Sequence, residues 1–360
     1  MGTVRVTLQR GYSGCILVGK ILKIVAILCG AALLIAPQGH AQPITADVIA
    51  RGETVPVGAG ADADAADDPA IWRNTRRPGQ SLIVATDKKA GLYVYGLDGN
   101  VKSFLPAGRV NNVDLVDMGR PGVIVVASDR NDPTKALLQI YRLDTGNARL
   151  EALGAVAGGA GEAYGVCLMR DGRALHAFSV LKDGTVAQVV IAVDNDTPQG
   201  EIVRTLKLAT QTEGCVVDGR SRTLYVGEED RGIWAFDAGA GASSQGRLVA
   251  QVDNSQLVAD VEGLTLIPVG RKGGYLVASS QGDNAYTLFS LPDMTPAGRF
   301  RIAAGAVGAT QETDGIAVAP GTFGGDFPEG LFIAQDGDNA PAAQNFKLVS
   351  WRDVMRAVKN

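Results

Sequence analysis

From residue 67 onward the chain repeats one arrangement of polar and apolar positions: a carboxylate or amide, a Gly, then a short apolar run. It is clearest in Thr212-Glu213-Gly214-Cys215-Val216-Val217-Asp218 and returns as Val261-Glu262-Gly263-Leu264-Thr265-Leu266-Ile267, Glu312-Thr313-Asp314-Gly315-Ile316-Ala317-Val318 and Glu162-Ala163-Tyr164-Gly165-Val166-Cys167-Leu168. Looser copies stand at Asn111-Asn112-Val113-Asp114-Leu115-Val116 and Asp67-Asp68-Pro69-Ala70-Ile71-Trp72. Aligned on Pro69, Asp114, Gly165, Gly214, Gly263 and Gly315, successive copies lie 45, 51, 49, 49 and 52 residues apart, which makes six repeats. Each holds apolar runs of strand length. In the first repeat they cover residues 70–72, 81–86, 92–97 and 101–107, with Asp98-Gly99 as a hairpin signal before the last. The next repeats follow suit at 123–128, 137–143 and 150–156, then at 174–180, 187–193 and 202–208, and the scheme returns over 223–253 and 275–303.

Four strands in a period of this length predict an all-β chain, a six-bladed β-propeller of four-stranded blades. Helical periodicity is absent from residue 42 until the last ten residues. The sixth repeat has strands at 330–335 and 346–351 but no fourth one, whereas the strand-like run 45–57 precedes the first repeat unused. That run is expected to close the last blade and cover its edge. The expected organisation is one propeller domain over residues 42–360.

Strand alternation brings the start of each innermost strand and the loop between the second and third strands to one face. The strand starts carry Asp67, Asp68, Asn111, Asn112, Asp114, Glu162, Tyr164, Glu213, Asp260, Glu262, Glu312 and Asp314. The loops carry Asp87-Lys88-Lys89, Asp129-Arg130, Lys182-Asp183, Glu228-Glu229-Asp230, Gln281-Gly282-Asp283-Asn284 and Gln335-Asp336-Gly337-Asp338-Asn339. Six blades therefore deliver a ring of carboxylates, with a few cations, to one mouth of the channel. Hard oxygen ligands in excess are what Ca²⁺ takes. The interleaved Lys88, Lys89, Arg130 and Lys182 suit an anion held by the same metals, and phosphate fits both. Asp-Gly turns also crowd propeller loops with acids, so a single carboxylate is as readily a solvated loop residue as a ligand.

Composition narrows the partners. The first 41 residues hold no Asp or Glu, carry Arg5, Arg10, Lys20 and Lys23, and run through thirteen mostly apolar residues, 24–36, to Gly39-His40-Ala41. This reads as an export signal cut after Ala41, with the chain periplasmic or secreted and without stable membrane association afterwards. Its removal takes four of the 34 Lys plus Arg and leaves 30 against 38 Asp plus Glu, a net charge near −8. Such a balance argues against nucleic acid as a partner. A monomer is the default expectation. Beyond the leader the cysteines are Cys167 and Cys215, on equivalent positions of neighbouring repeats; the pattern leaves open a disulfide or two buried thiols. Cys167 also opens a Cys-x5-Arg string with Arg173, but Arg170-Asp171-Gly172-Arg173 reads as a hairpin turn, with no helix N-terminus to hold a phosphate. His176 is the one His after the leader and falls inside a predicted strand, which excludes histidine-phosphatase, Ser-His-Asp and His-ligated zinc chemistry. Hydrolysis would then fall to a metal-activated water.

The strings Asp67-Asp68-Pro69-Ala70-Ile71-Trp72, Asn111-Asn112-Val113-Asp114-Leu115, Gln211-Thr212-Glu213-Gly214, Glu228-Glu229-Asp230-Arg231-Gly232-Ile233-Trp234, Asp260-Val261-Glu262-Gly263-Leu264-Thr265, Ala278-Ser279-Ser280-Gln281-Gly282, Thr313-Asp314-Gly315, Ala334-Gln335-Asp336-Gly337 and Gln344-Asn345-Phe346-Lys347 occur in order. Together they resemble the β-propeller phytases over essentially all of residues 45–351. The resemblance implies a propeller holding several Ca²⁺ ions, structural and catalytic, that hydrolyses myo-inositol hexakisphosphate (phytate). It implies catalytic roles for Glu213, Asp68, Asp314 and Glu262. The wider metal-binding set is Asp67, Asp68, Asp114, Glu213, Glu228, Glu229, Asp260, Glu262, Asp314, Gln281 and Asp336. Lys88, Lys89, Arg130, Tyr164 and Lys182 would grip substrate phosphates, with Asp183 standing where a Glu is expected. Two alternatives share the fold: a calcium-dependent lactonase or phosphotriesterase, which has little use for Lys88, Lys89 and Arg130, and a non-catalytic periplasmic scaffold, which would need an exposed aromatic patch.

Overall fold

Nearly every inner strand of this protein is buried on both faces, because each sheet is sandwiched between two others. In the strand Leu82–Asp87, Ile83 packs into one apolar cluster with Leu331, Ile333 and Phe346, while its neighbour Val84 packs into another with Val113, Val125 and Tyr141. This is why the inner strands read as continuous apolar runs rather than as alternating ones. A computed structural model describes residues 43–58, 60, 64–193 and 197–359. The leader expected over residues 1–41 lies outside the described residues, as do residues 59 and 61–63 of the small acidic stretch before blade 1.

The six blades follow the repeats. Blade 1 consists of Ala66–Trp72, Leu82–Asp87, Gly91–Gly96 and Val101–Pro106; blade 2 of Val110–Asp117, Val123–Asp129, Lys135–Asp144 and Arg149–Ala160. Blade 3 is Ala163–Asp171, Ala174–Leu181, Thr185–Ala192 and Gln199–Lys207; blade 4 is Thr212–Asp218, Thr223–Glu228, Gly232–Asp237 and Arg247–Gln251. Blade 5 is Val261–Val269, Gly273–Ser280, Ala285–Ser290 and Thr295–Ala303, and blade 6 takes Ile316–Pro320, Gly330–Asp336 and Asn345–Ser350 from the C-terminus. A single short helix, Trp351–Ala357, ends the described chain and packs Trp351 and Val354 into the cluster between blades 5 and 6.

The segment expected to close the last blade does so, and it does more. Gly52–Glu53 pairs with Asn345–Ser350 as the fourth strand of blade 6, whereas Thr45–Ile49 runs parallel to Thr295–Ala303 and adds a fifth strand to blade 5. The closure is locked by Lys347, which is fully buried. Its Nζ donates to Glu53 Oε2 at 2.6 Å, Asn345 Oδ1 at 2.9 Å and Asn339 Oδ1 at 3.0 Å, and lies 3.1 Å from Asp336 Oδ2. A buried ammonium costs little only when every donor is met in this way.

The recurring Gly has a steric cause. A Cβ on Gly165 would lie 1.9 Å from the Glu213 carbonyl oxygen, one on Gly214 2.0 Å from that of Glu262, one on Gly263 2.5 Å from that of Asp314, and one on Gly315 2.4 Å from that of Asp67. At four of the six junctions, therefore, the innermost strand touches the backbone of the next blade just where that blade's carboxylate stands. The two junctions without the Gly are bridged by side chains: Asp68 Oδ2 accepts Val113 N–H at 3.0 Å and Asp114 Oδ2 accepts Leu168 N–H at 2.8 Å. The junction between blades 3 and 4 is also covalent, since Cys167 and Cys215 form a disulfide with Cα atoms 5.7 Å apart.

Gly214→Ala is expected to lower unfolding stability by about 3 kcal/mol or more, because backbone rather than a flexible side chain blocks the methyl group. Urea unfolding followed by circular dichroism checks this, and an unchanged midpoint would count against the close approach. Converting both Cys167 and Cys215 to Ser should cost about 2–4 kcal/mol, as removal of a cross-link spanning 48 residues should.

Candidate active site

The four glycine junctions set the carboxylates Glu213, Glu262, Asp314 and Asp67 around one mouth of the channel. Glu213 and Glu262 precede their glycines directly, and Asp314 precedes Gly315. The loop between the second and third strands of blade 4 adds Glu229. Glu213, Glu229 and Glu262 are all buried, and each offers an oxygen within 4.8 Å of the other two. Among the described residues, Glu229 Oε1, Glu262 Oε2 and both carboxylate oxygens of Asp67 are buried without a hydrogen-bond partner. Partnerless buried carboxylate oxygens are costly. An oxygen-only donor set of this density fits a hard divalent cation.

The electrostatics agree. Burial pushes the Glu213 carboxyl up to about 8, reinforced by the charge of Asp314 and opposed by Lys88 and the Tyr164 hydroxyl. Burial lifts Glu229 to about 7, with Asp260 adding to the effect and Gln211 and Lys182 opposing it. Glu262 is held well above the usual carboxylate range by burial and then by Glu213 and Asp314, and Asp67 by burial against the pull of Lys88. Glu213 and Glu229 keep protons into the neutral range because their charges have nowhere to go.

Cations face the acids across a cavity of about 290 Å³ that Asp67, Lys88, Arg130, Tyr164, Lys182 and Glu213 help to line. Lys88 Nζ sits 2.8 Å from Asp64 Oδ1 and 3.2 Å from Asp314 Oδ2. Burial alone would lower its basicity, but Asp67, Asp314 and Asp64 together hold the ammonium firmly charged. Arg130 donates to Asn111 Oδ1 and Glu162 Oε1, and its guanidinium carbon lies 5.5 Å from the centre of the Tyr164 ring. Lys182 Nζ lies 5.2 Å from the same centre, so Tyr164 has two cations close to its ring. Asn111 Nδ2 donates to Glu213 Oε1 at 2.8 Å.

The other residues named from sequence lie elsewhere or are already engaged. Asp68 and Asp114 bridge neighbouring inner strands, as described above, and face the channel below the mouth. Glu228 is fully buried and ties the link that leads into Thr212–Asp218 to its own blade: Oε1 accepts Ala209 N–H at 2.9 Å and Thr210 N–H at 2.8 Å, and Oε2 accepts Trp234 Nε1–H at 2.8 Å. Asp336 accepts Gln311 N–H and faces Lys347. Gln281 Nε2 donates to Asp314 Oδ1 at 2.8 Å. Asp260 is half-buried, and burial followed by Asp230 raises its carboxyl. Lys89 is exposed, and the exposed Asp183 pairs with Lys207 at 2.8 Å. His176 is buried with Nδ1 3.1 Å from Gln188 Nε2, away from the mouth. The residue that sequence reasoning missed is Asp64, which reaches Lys88 from the small acidic stretch; its only signal was membership of that stretch.

A family model described as Phytase matches residues 16–360 of the chain. The 3-phytase of Bacillus subtilis (strain 168) is 36% identical over 324 residues, which cover 85% of this chain and 84% of that protein. Among solved structures, a chain of the mitotic checkpoint complex crystal structure superposes with a TM-score of 0.50 at 15% identity, covering 88% of this chain and 98% of that one. At that identity the likeness concerns the fold alone.

Raised carboxylates have a consequence for stability. The folded chain binds these protons more tightly than the unfolded chain, whose glutamates titrate near 4.3, so without a cation stability falls as pH rises from about 4 through about 8. In EDTA the thermal midpoint is expected to drop from about pH 5 to about pH 8, and millimolar calcium should raise it more at the higher pH, where the carboxylates are free to ligate. Differential scanning calorimetry reads both trends; a midpoint that climbs with pH in EDTA would mean that the carboxylates are already paired.

Proposed function

We propose, on the premise that this chain belongs to the phytase family, that the acidic mouth hydrolyses phosphate monoesters of phytate with the help of calcium. The observation that carries this reading is the meeting of buried carboxylates, some of whose oxygens have no partner, with Lys88, Arg130 and Lys182 around one cavity. The acids alone would repel a substrate made of phosphates. With cations at Glu213, Glu229 and Glu262, and at Asp67 and Asp314, the same surface becomes attractive.

Calcium bound at these carboxylates would supply positive charge to the phosphoryl oxygens and acidify a nearby water. The protein's own groups then divide the work. Lys88 binds a phosphoryl oxygen; its partner Asp64 is two-thirds exposed and gives way easily, while Asp314 keeps the ammonium in place. Arg130 and Lys182, both held close to the Tyr164 ring, take further phosphate oxygens, the guanidinium by paired N–H donors. Asn111 fixes Glu213 by its Oε1 and so holds the carboxylate in place to accept a proton from the attacking water. Asp260 and Gln281 complete the rim, Gln281 by steadying Asp314. Asp68, Asp114, Glu228 and Asp336 act through the scaffold, each by holding a strand or loop that carries one of these groups. Export to the periplasm or the medium is supported by the leader-like residues 1–41 and by the Cys167–Cys215 disulfide.

Phosphate release from phytate at neutral pH is expected with calcium, to vanish in EDTA and to return when calcium is restored. Glu213→Gln should lower kcat about 100-fold or more. Lys88→Gln should lower kcat/KM for phytate about tenfold or more. Activity that survives EDTA, or that ignores both substitutions, would sink this assignment.

A further inference from the structure

The opposite end of the propeller carries a different charge. The turns joining the first two strands of blades 2 and 3 lie at the register positions Asp117↔Val123 and Asp171↔Ala174, away from the mouth-side pairs Val110↔Asp129 and Ala163↔Leu181. Between them is a recess of about 680 Å³ on which Arg120, Arg142, Arg170 and Arg173 converge. That volume is in the range of sites for small ligands.

Two of the four guanidinium groups are held in place by main-chain carbonyls rather than by acids. Arg142 Nε donates to the Pro121 carbonyl at 3.1 Å. Arg170 reaches from blade 3 into blade 2, donating through Nη1 to the Asp117 carbonyl at 2.8 Å and through Nε to Gly172 at 3.0 Å. The Arg170 guanidinium lies against Gly119, where a Cβ would be 3.8 Å from Nη2. Arg120 and Arg173 are exposed, and among the described residues neither makes an ion pair or a side-chain hydrogen bond. The acids on these two turns are turned to other uses: Asp117 Oδ1 accepts Gly119 N–H at 2.8 Å, and Asp171 pairs with Arg222 at 2.8 Å. Four positive charges are thus gathered, two of them pre-aimed, with no carboxylate bound to them among the described residues, in a chain of net negative charge.

Guanidinium groups fixed in this way match phosphate oxygens through paired N–H donors. The recess is concave and bounded by two turns, which suits a compact polyanion better than a flat charged surface. We propose that it is a second, non-catalytic binding site for a small anion bearing several phosphate groups, of the inositol polyphosphate class. The site itself stands on the four arginines; only the choice of ligand class rests on the phytase reading. Among the described residues that line the recess there is no carboxylate or nucleophile to act on a ligand, so occupancy would concentrate substrate or retain product rather than turn it over.

The test is calorimetric titration of the full chain with inositol hexakisphosphate in EDTA, which disables the calcium-dependent mouth, for the wild type and for Arg120→Glu/Arg173→Glu. Both positions are exposed, so the variant should fold, with its thermal midpoint as the check; Arg120→Ala/Arg173→Ala serves if it does not. The expected result is one wild-type site whose affinity weakens with added salt and falls about tenfold or more in the variant, while kcat with calcium is unchanged. No wild-type binding in EDTA, or equal affinity in the variant, would overturn the proposal. A parallel arm measures sedimentation with phosphatidylglycerol vesicles and with neutral phosphatidylcholine vesicles. Arginine-dependent capture by the anionic vesicles, without arginine-dependent binding of inositol hexakisphosphate, would assign the recess to lipid headgroups and overturn the stated ligand. Loss of hydrolysis under every calcium condition, with arginine-dependent binding intact, would instead remove the function proposed for the mouth and leave this site standing.

Discussion

The fold depends on how closely the innermost strands approach one another. Gly165, Gly214, Gly263 and Gly315 each stand where a Cβ would meet the backbone carbonyl of the next blade at 2.5 Å or less. That contact has two effects. It draws the blades tight enough for the apolar clusters between them to exclude water, and it fixes the backbone of Glu213, Glu262, Asp314 and Asp67, which are the residues whose carbonyls are touched. Ring closure and site assembly are therefore one steric requirement.

The same requirement creates an electrostatic problem. Carboxylates brought together by close-packed backbones cannot swing away, and burial lifts Glu213 to about 8 and Glu229 to about 7. A chain built only for stability would place apolar groups here. The tension is relieved in two ways: protons at low pH, or cations at neutral pH. Lys88 supplies one permanent cation against Asp314 and Asp67, and oxygens of Glu213, Glu229 and Glu262 lie close enough together to share a hard cation. Instability of the mouth without metal is thus part of what makes it able to bind one.

The two ends of the molecule show how placement outweighs composition. Net acidity from the sequence argues against nucleic acid as a partner, yet Arg130, Lys88 and Lys182 are collected at one end and Arg120, Arg142, Arg170 and Arg173 at the other. Local charge is set by which turns and loops share an end of the channel. A polyanion meets these local fields and not the average, because screening confines each to roughly 10 Å.

Much of this was legible from the linear chain. Spacing near 50 residues, four apolar runs per repeat and a missing last strand determined six blades and the closing role of the N-terminal segment, since each follows from chain-local periodicity and from the need to cover strand edges. Alternation likewise determined which acids and cations reach the mouth side. The tertiary structure alone decided which of them meet. Asp68 and Asp114 turned out to bridge inner strands, Glu228 to hold the link between blades 3 and 4 and Asp336 to face Lys347, while Glu213, Glu229 and Glu262 came within ligand distance. The structure also split the N-terminal run between two blades, joined Cys167 to Cys215 and brought Asp64 to Lys88. The physical reason is that periodicity specifies the direction in which a side chain leaves its strand. Distances between blades depend on packing around the whole ring, which a single repeat does not encode.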